Sequence, residues 1–201
     1  MKGSYRVKEM VHTIQGEGAN AGRAVVLCRF EGCNLSCEFC DTDFTGTDGP
    51  GGGIFARPEE LAAAADGLWR GDESRKAVLC TGGEPLLQLD GRLVEAFHDR
   101  GFSVLLETNG TLAAPEGIDW MCVSPKDGGI PAIREGDELK LPFPADGVDP
   151  EVFLGLDFTH FYLQPVWGDR LQSNIRKAVE YCLAHPRWKL SLQMHKYTGI
   201  P

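Results

Sequence analysis

The chain has 201 residues, a hydrophobic fraction of 42% and a formal net charge of −9. This length is typical of one domain with one core, and the acidic balance argues against nonspecific nucleic-acid binding. No stretch approaches the roughly 20 apolar residues of a membrane span, and the N-terminal residues lack the apolar core of a signal peptide. Seven cysteines without an export signal favour a reducing cytoplasm and thiols or metal ligands in place of disulfides.

Apolar runs alternate with helical segments along the chain. The runs are nearly continuous in apolar character, as in parallel strands buried on both faces, and cover residues 24–30, 76–80, 102–108, 120–124, 139–143, 160–166 and 188–194. Helices are predicted over residues 57–71, 84–101 (ending at a capping Gly101) and 169–186. This order predicts an α/β fold with a mostly parallel sheet. Because helices are fewer than strands, a partial, open TIM-like barrel fits better than a complete one.

The stretch GTDGPGGGIF, residues 46–55, is the most glycine-rich part of the chain. Its composition predicts a flexible surface loop. Since it directly follows three closely spaced cysteines, a mobile cover over a site is the alternative interpretation.

The segment GCNLSCEFCDTD contains Cys33, Cys37 and Cys40. Structural zinc generally needs four nitrogen or sulfur ligands in two short pairs, and only one Cys-x-x-Cys pair is present. Cysteines without a metal, or with a redox role, are a second possibility. A four-iron, four-sulfur cluster with three protein ligands is the third, and it would leave one iron open to a small molecule. The other four cysteines, Cys28, Cys80, Cys122 and Cys182, lie in apolar segments and are predicted to be small buried side chains.

The Cys-x-x-x-Cys-x-x-Cys spacing resembles the signature of the radical S-adenosylmethionine (radical SAM) superfamily. Phe39, directly before the last cysteine, also fits, and TGGEP at residues 81–85 is similar to the superfamily's Gly-Gly-Glu motif. The resemblance implies that S-adenosylmethionine binds the open iron and is cleaved to a 5′-deoxyadenosyl radical. A strand-to-helix turn opening with Pro85 is the alternative for the second motif.

Further motifs resemble one family, the 7-carboxy-7-deazaguanine synthases, in the family's order from about residue 5 to the C-terminus. They are TIQGEG (13–18), CRFEGCNLSC (28–37), CDTDF (40–44), ETNGT (107–111), SPK (124–126) and LQPVW (163–167). The resemblance implies one radical SAM domain over residues 1–201 and a lyase that converts 6-carboxy-5,6,7,8-tetrahydropterin to 7-carboxy-7-deazaguanine and ammonia. The implied cofactors are one 4Fe-4S cluster, regenerated S-adenosylmethionine and Mg2+.

Site residues follow from the same resemblance. The cluster ligands are Cys33, Cys37 and Cys40, and Thr42 is the Mg2+ ligand, with a local turn as its alternative role. The residues implied to bind S-adenosylmethionine are Phe39, Cys40, Asp41, Gly83, Glu84, Ser124, Pro125, Lys126, Gln164, Pro165, Val166 and Trp167. Those implied to bind substrate are Ile14, Gln15, Gly16, Glu17, Arg29, Thr81, Glu107, His195 and Pro201.

Chemistry supports several of these assignments. Arg29 lies in an apolar strand, where a charge needs a partner, and either the substrate carboxylate or a structural salt bridge would provide one. Gln15 and Glu107 suit the amide-like edge of a pterin, which needs both donors and acceptors. A free terminus is normally frayed, which is the alternative for Pro201.

The resemblance also implies a flavodoxin- or ferredoxin-type electron donor and a homodimer. Two other functions remain open at this stage. A glycyl-radical activase would lack the pterin-matching set of Gln15, Glu107 and His195. A non-enzymatic zinc or iron–sulfur module would need no Gly-Gly-Glu turn.

Overall fold

A computed structural model describes residues 3–200, in which nine strands form one open sheet. The strands are β1 (Tyr5–Ile14), β2 (Ala24–Phe30), β3 (Gly53–Phe55), β4 (Ala77–Gly82), β5 (Ser103–Thr108), β6 (Trp120–Val123), β7 (Glu135–Phe143), β8 (Asp157–Pro165) and β9 (Trp188–Leu190). Their spatial order is β3-β1-β2-β4-β5-β6-β7-β8-β9. All pairings from β2 to β9 are parallel, which confirms the predicted α/β fold and all seven predicted strands, with shifted ends. The sheet is that of a partial TIM-like barrel.

Two antiparallel strands, β1 and β3, complete the sheet and were not predicted. β1 pairs with β2 along most of its length, and β3 adds at the outer edge of β1. In β1 the side chains of Tyr5, Val7 and Met10 are buried. Because the register shifts between Val7 and Glu9, the spacing of buried residues departs from strict alternation. The sequence pattern that normally indicates a strand is therefore broken inside β1.

Residues 46–52 of the glycine-rich stretch form turns and bends, so the predicted loop is present there and its backbone is attached to β1; its flexibility and its role as a cover stay predictions. The Met10 N–H donates to the Pro50 carbonyl at 2.7 Å, and the Gly49 N–H donates to the Lys8 carbonyl at 2.9 Å. Residues 53–55 then form β3. The absence of side chains lets this backbone lie against the neighbouring strand.

Four helices lie in residues 3–200: α1 (Pro58–Leu68), α2 (Gly91–His98), α3 (Leu171–Ala184) and α4 (Met194–Thr198). The prediction of a helix from residue 84 is wrong for its first part, which forms a short 3-10 turn at Pro85–Leu87. The Glu84 carboxylate accepts from the Leu86 N–H and caps the start of this turn, whereas Asp90 caps the start of a separate helix. Gly101 follows α2 with a φ of 77°, as predicted for a capping glycine. The helix α4 was not predicted.

The two faces of the parallel strands bury different layers. Alternate side chains, among them Val26, Val78 and Val104, pack beneath α1 and α2 on the outer face. Their neighbours Val25, Leu79 and Leu105 form a small apolar cluster on the other face. Burial on both faces is the reason that these strands are nearly continuous in apolar character.

Three of the four cysteines outside the 33–40 segment, Cys28, Cys80 and Cys122, are buried as predicted, and Cys182 on α3 is half-buried. All seven cysteines are free. None of the helices in residues 3–200 has the length and apolar character that crossing a membrane requires.

We expect Asp90 to stabilise the junction between β1 and α2. One of its carboxylate oxygens accepts from the Leu93 N–H at 3.1 Å and from the Tyr5 hydroxyl at 3.0 Å. Asp90→Ala should lower the free energy of unfolding by roughly 1 to 3 kcal/mol, since it removes a helix cap and a side-chain hydrogen bond. Urea denaturation would measure the change. Asp90→Asn, which keeps an acceptor oxygen, should lose less, and an equal loss in both variants would contradict this role.

Candidate active site

A cavity of about 530 Å³ opens where the parallel strands end. Of the predicted site residues, the only ones among residues 3–200 that do not line it are Glu84 and Pro125. Pro201 lies outside the described residues. The predicted residues that line the cavity are Ile14, Gln15, Gly16, Glu17, Arg29, Cys33, Cys37, Phe39, Cys40, Asp41, Thr42, Thr81, Gly83, Glu107, Ser124, Lys126, Gln164, Pro165, Val166, Trp167 and His195. Residues from both ends of the chain thus meet around one space.

The cysteine segment is an irregular loop between β2 and β3, and its three cysteines all line the cavity. Cys33 and Cys37 are half-buried and Cys40 is exposed. Burial raises the pKa of Cys37, and the nearby Cys40 and Cys33 raise it further, while Lys126 opposes the shift. These thiols are therefore close enough to influence one another through their charge.

This thiol set fits an iron–sulfur cluster better than a single ion. Within residues 3–200, no group of three His, Cys, Asp or Glu side chains is arranged to hold one metal ion. The cysteines of a 4Fe-4S cluster bind separate iron atoms, so their sulfur atoms need not converge on one point. Cys40 is the most exposed of the three cysteines and lines the cavity, so this part of the loop is accessible to a ligand.

The loop is fastened to the segment that follows β5. Asn109 donates through its side-chain amide to the Asn34 side-chain oxygen at 2.9 Å, and Asn34 donates to the Thr111 hydroxyl at 2.8 Å. The backbone N–H of Glu84 donates to the Gly32 carbonyl at 2.9 Å. A Cβ atom on Gly83 would lie 3.0 Å from the Cβ of Cys33 and would overlap the Gly32 carbonyl. The glycine at 83 therefore makes room for the cysteine loop.

Glu84 faces away from the cavity and is fully buried. Its carboxylate accepts from the Thr108 hydroxyl at 2.8 Å and from the backbone N–H groups of Asn109 and Leu86 at 2.8 and 2.9 Å. Burial raises the pKa of Glu84, while these hydrogen bonds lower it. The Glu84 carboxylate thus joins the ends of β4 and β5, and its contact with a ligand stays a prediction.

A cluster of charged side chains forms the floor of the cavity. The buried ammonium group of Lys140 lies 2.8 Å from a Glu107 carboxylate oxygen and 2.5 Å from a Glu17 carboxylate oxygen. Gln15 donates to Glu107 at 3.0 Å, and the Thr81 hydroxyl donates to the other Glu107 oxygen at 3.3 Å. Burial by itself would raise the pKa of Glu17, but the charge and hydrogen bond of Lys140 lower it to about 2. The Glu17 carboxylate in the floor is therefore an ionised acceptor.

The helix α4 forms one wall of the cavity and brings in His195. The Met194 N–H donates to the Gly16 carbonyl at 2.9 Å. Gln193, directly before α4, donates to Glu17 at 3.1 Å and to Asp41 at 3.0 Å, and Lys196 forms an ion pair with Asp41. Burial lowers the pKa of His195, although Glu17 opposes the shift, which favours a neutral imidazole near pH 7.

Arg29 and Thr42 lie on the cavity wall with partners of their own. Arg29 donates to a Glu9 carboxylate oxygen at 2.7 Å, so the structural salt bridge considered for it is present. Thr42 donates to the Asp41 carboxylate at 3.4 Å. Both side chains still face the cavity, where a ligand would meet them.

Sequence reasoning did not assign several polar residues that line the cavity, and three of these, Lys140, Gln193 and Lys196, contact Glu17 or Asp41. The first of them, Lys140, could have been identified from the sequence. Lys140 lies in the apolar run LKLPF, and a charge inside a buried strand needs a partner, by the same argument that identified Arg29. The other two depend on the position of α4, for which the local sequence had no comparable pattern.

Comparisons with known proteins decide the family. The Radical SAM superfamily matches residues 27–127, which include the cysteine loop. The 7-carboxy-7-deazaguanine synthase of Caulobacter vibrioides is 52% identical over 98% of this chain and 100% of its own length. That of Bordetella pertussis is 53% identical over the same shares. This chain belongs to the 7-carboxy-7-deazaguanine synthase family.

A solved structure agrees with this assignment. The crystal structure of QueE from Escherichia coli matches with a TM-score of 0.74 and 26% sequence identity, over 96% of this chain and 95% of that one. The radical SAM domain implies a 4Fe-4S cluster and S-adenosylmethionine, which favours the cluster over zinc and over metal-free thiols. It also implies a small-molecule substrate and a reductant.

We expect the contact between Gly16 and α4 to hold this wall in place. A Cβ atom at position 16 would lie 2.9 Å from the His195 backbone nitrogen, so Gly16→Ala should displace α4. Trypsin should then cut after Lys196 faster than in the unmodified chain, and mass spectrometry would measure the rate. Gly155→Ala is the matched control, because no atom lies within 4 Å of its Cβ position. Equal cleavage rates in all three proteins would show that Gly16 does not hold α4.

Proposed function

We propose that this chain is a lyase that converts 6-carboxy-5,6,7,8-tetrahydropterin to 7-carboxy-7-deazaguanine and ammonia by a radical ring contraction. Family membership supports the reaction. The observation that carries it here is that the three loop cysteines and the Glu107 floor line the same cavity. A radical reaction needs the radical source and the substrate side by side, in a place that excludes water.

The loop thiols of Cys33, Cys37 and Cys40 would hold the cluster. Most residues proposed to bind S-adenosylmethionine lie around the same opening, from Phe39 and Asp41 to Ser124, Lys126 and residues 164–167. The chemistry that the bound cluster and S-adenosylmethionine would supply is a radical able to take a hydrogen atom from C6 of the pterin. Glu84 and Pro125 do not line the cavity and would contribute indirectly; Glu84 would hold the turn at Gly83 in place.

The chain's own residues would bind and orient the pterin. Glu107 would accept from the exocyclic amine and a ring N–H, and Gln15 and Thr81 would flank this edge. At the opposite end, Arg29 and His195 would hold the substrate carboxylate. Ile14, Gly16 and Glu17 would shape the same subsite, and Pro201 would close it.

Mg2+ would bind at Thr42 together with the substrate. Mg2+ prefers oxygen ligands, keeps several waters and takes few ligands from the protein. The Thr42 hydroxyl faces the cavity, and residues 3–200 contain no complete set of acidic or histidine ligands for a metal. The substrate carboxylate would therefore complete the site.

Three further features belong to this proposal. The electron donor would be a flavodoxin- or ferredoxin-type protein, and the enzyme would work as a homodimer. The cytoplasm is the proposed location, because all seven cysteines are free and the cluster needs reducing conditions.

A turnover assay tests the reaction. The protein would be reconstituted with iron and sulfide without oxygen and given the pterin, Mg2+, a reductant and substoichiometric S-adenosylmethionine. Product in excess of the added S-adenosylmethionine is expected, because the cofactor is regenerated. Release of 5′-deoxyadenosine without product would contradict the substrate but keep the radical chemistry.

Replacement of any one loop cysteine tests the cluster assignment. Cys33→Ala, Cys37→Ala and Cys40→Ala should each abolish product formation and lower the iron and sulfide content after reconstitution, since each removes a ligand. Cys182→Ala is the matched control, because this thiol lies on α3 outside the cavity. A loop variant with full iron content and normal turnover would overturn the assignment.

A further inference from the structure

The floor of the cavity concentrates negative charge around one ammonium group. Lys140 extends from β7 with its side chain 5% exposed and contacts carboxylates from two other segments. Glu17 follows β1, and Glu107 lies near the end of β5. Glu107 shares one oxygen between Lys140 and Gln15, while its other oxygen contacts, among the polar groups of residues 3–200, only the Thr81 hydroxyl at 3.3 Å. That second oxygen is the acceptor with most capacity left for a ligand.

Other charged groups face this cluster and have partners of their own. Glu138, two residues before Lys140, accepts from the Ala19 N–H at 2.9 Å and from the Cys122 thiol at 3.5 Å. From α4, His195 lies near Glu17, and its lowered pKa favours the neutral form. Asp41 is neutralised by its ion pair with Lys196. Lys140 is therefore the cation that forms hydrogen bonds with both Glu17 and Glu107 in the described structure.

Little space is left for water molecules to solvate the Glu17 and Glu107 carboxylates in place of Lys140. Behind the floor lies a space of about 10 Å³, lined in part by Gln15, Glu17, Glu107, Cys122 and Glu138. Such a space holds about one water molecule at most. Two carboxylates in this position without a cation would repel each other in a poorly solvated environment.

We infer that Lys140 is a positioning residue that compensates the charges of Glu17 and Glu107 and orients them, so that these two carboxylates only accept hydrogen bonds and select a substrate edge rich in N–H groups. This inference rests on the proposed function, because the edge concerned is that of the pterin. Lys140 acts through Glu107 and does not itself contact the reacting atoms. The electrostatics agree with the geometry: despite its burial, the pKa of Lys140 is raised well above its ordinary value by Cys122, Glu107 and Glu17.

Lys140→Met tests this role, since it removes the charge and keeps most of the side-chain length. One of the two carboxylates should then take up a proton near neutral pH and become a donor on one oxygen. Affinity for the pterin, measured by anaerobic calorimetry on the reconstituted enzyme, should fall by roughly tenfold or more at pH 7, with a larger change in KM than in kcat. It should recover as pH rises towards about pH 9, where the carboxylates ionise again.

The pH dependence separates this role from packing. A loss of affinity that is the same at every pH would indicate a structural role only and would overturn the inference, as would unchanged affinity. Lys189→Met is the matched control, because this exposed lysine on β9 lies outside the cavity. The double variant Glu17→Gln with Lys140→Met removes the second carboxylate, so its affinity should depend less on pH than that of Lys140→Met.

A spectroscopic measurement keeps the test independent of substrate. With isotope-labelled glutamate, infrared difference spectra of Lys140→Met against the unmodified protein at neutral pH should contain the carbonyl band of a protonated carboxylic acid. Glu84, whose pKa is raised in the unmodified protein, would cancel in the difference. Absence of the band would overturn the inference even if the proposed reaction failed. If the unmodified enzyme forms product but Lys140→Met binds the pterin equally at every pH, the inference about Lys140 is overturned and the proposed function is not.

Discussion

The buried ammonium group of Lys140 joins three segments that are distant in sequence. It contacts Glu17, 123 residues away, and Glu107, 33 residues away. An isolated charge in a protein interior costs several kcal/mol, so none of the three groups would be stable there without the others. The need to compensate these charges fixes how β5, β7 and the segment after β1 meet. It also places polar side chains next to Leu79 and Leu105 of the apolar cluster, which line the same small space as Glu17 and Glu107.

The same floor sets the position of the cysteine loop. Gln193 bridges Glu17 and Asp41, and Asp41 directly follows Cys40, a proposed cluster ligand. A second connection runs from Glu84 through Thr108 and Asn109 to Asn34. The cysteine loop is thus held by two sets of hydrogen bonds, one to the floor and one to the ends of β4 and β5. This matters for the proposed reaction, because a radical transfers a hydrogen atom only over a short distance and with correct orientation.

Much of the fold was predictable because parallel strands buried on both faces have an unmistakable composition. The seven runs from 24–30 to 188–194 all contain strands, since apolar side chains are needed both beneath the helices and inside the partial barrel. β1 was missed because its register shift disrupts the alternation that identifies a half-buried strand. The helix predicted from residue 84 was too long because Glu84 and Asp90 each cap a different short element.

The sequence by itself determined the family, the three cysteines of the loop and more than half of the residues around the cavity, because these depend on motifs of a few consecutive residues. Only the tertiary structure decided which way the side chains face. In the folded chain the Glu84 side chain points into the protein interior, Lys140 pairs with two carboxylates, and α4 lies against Gly16. The physical reason is that these contacts join segments tens to more than a hundred residues apart. Their energies depend on burial and charge compensation that exist only once the sheet has formed.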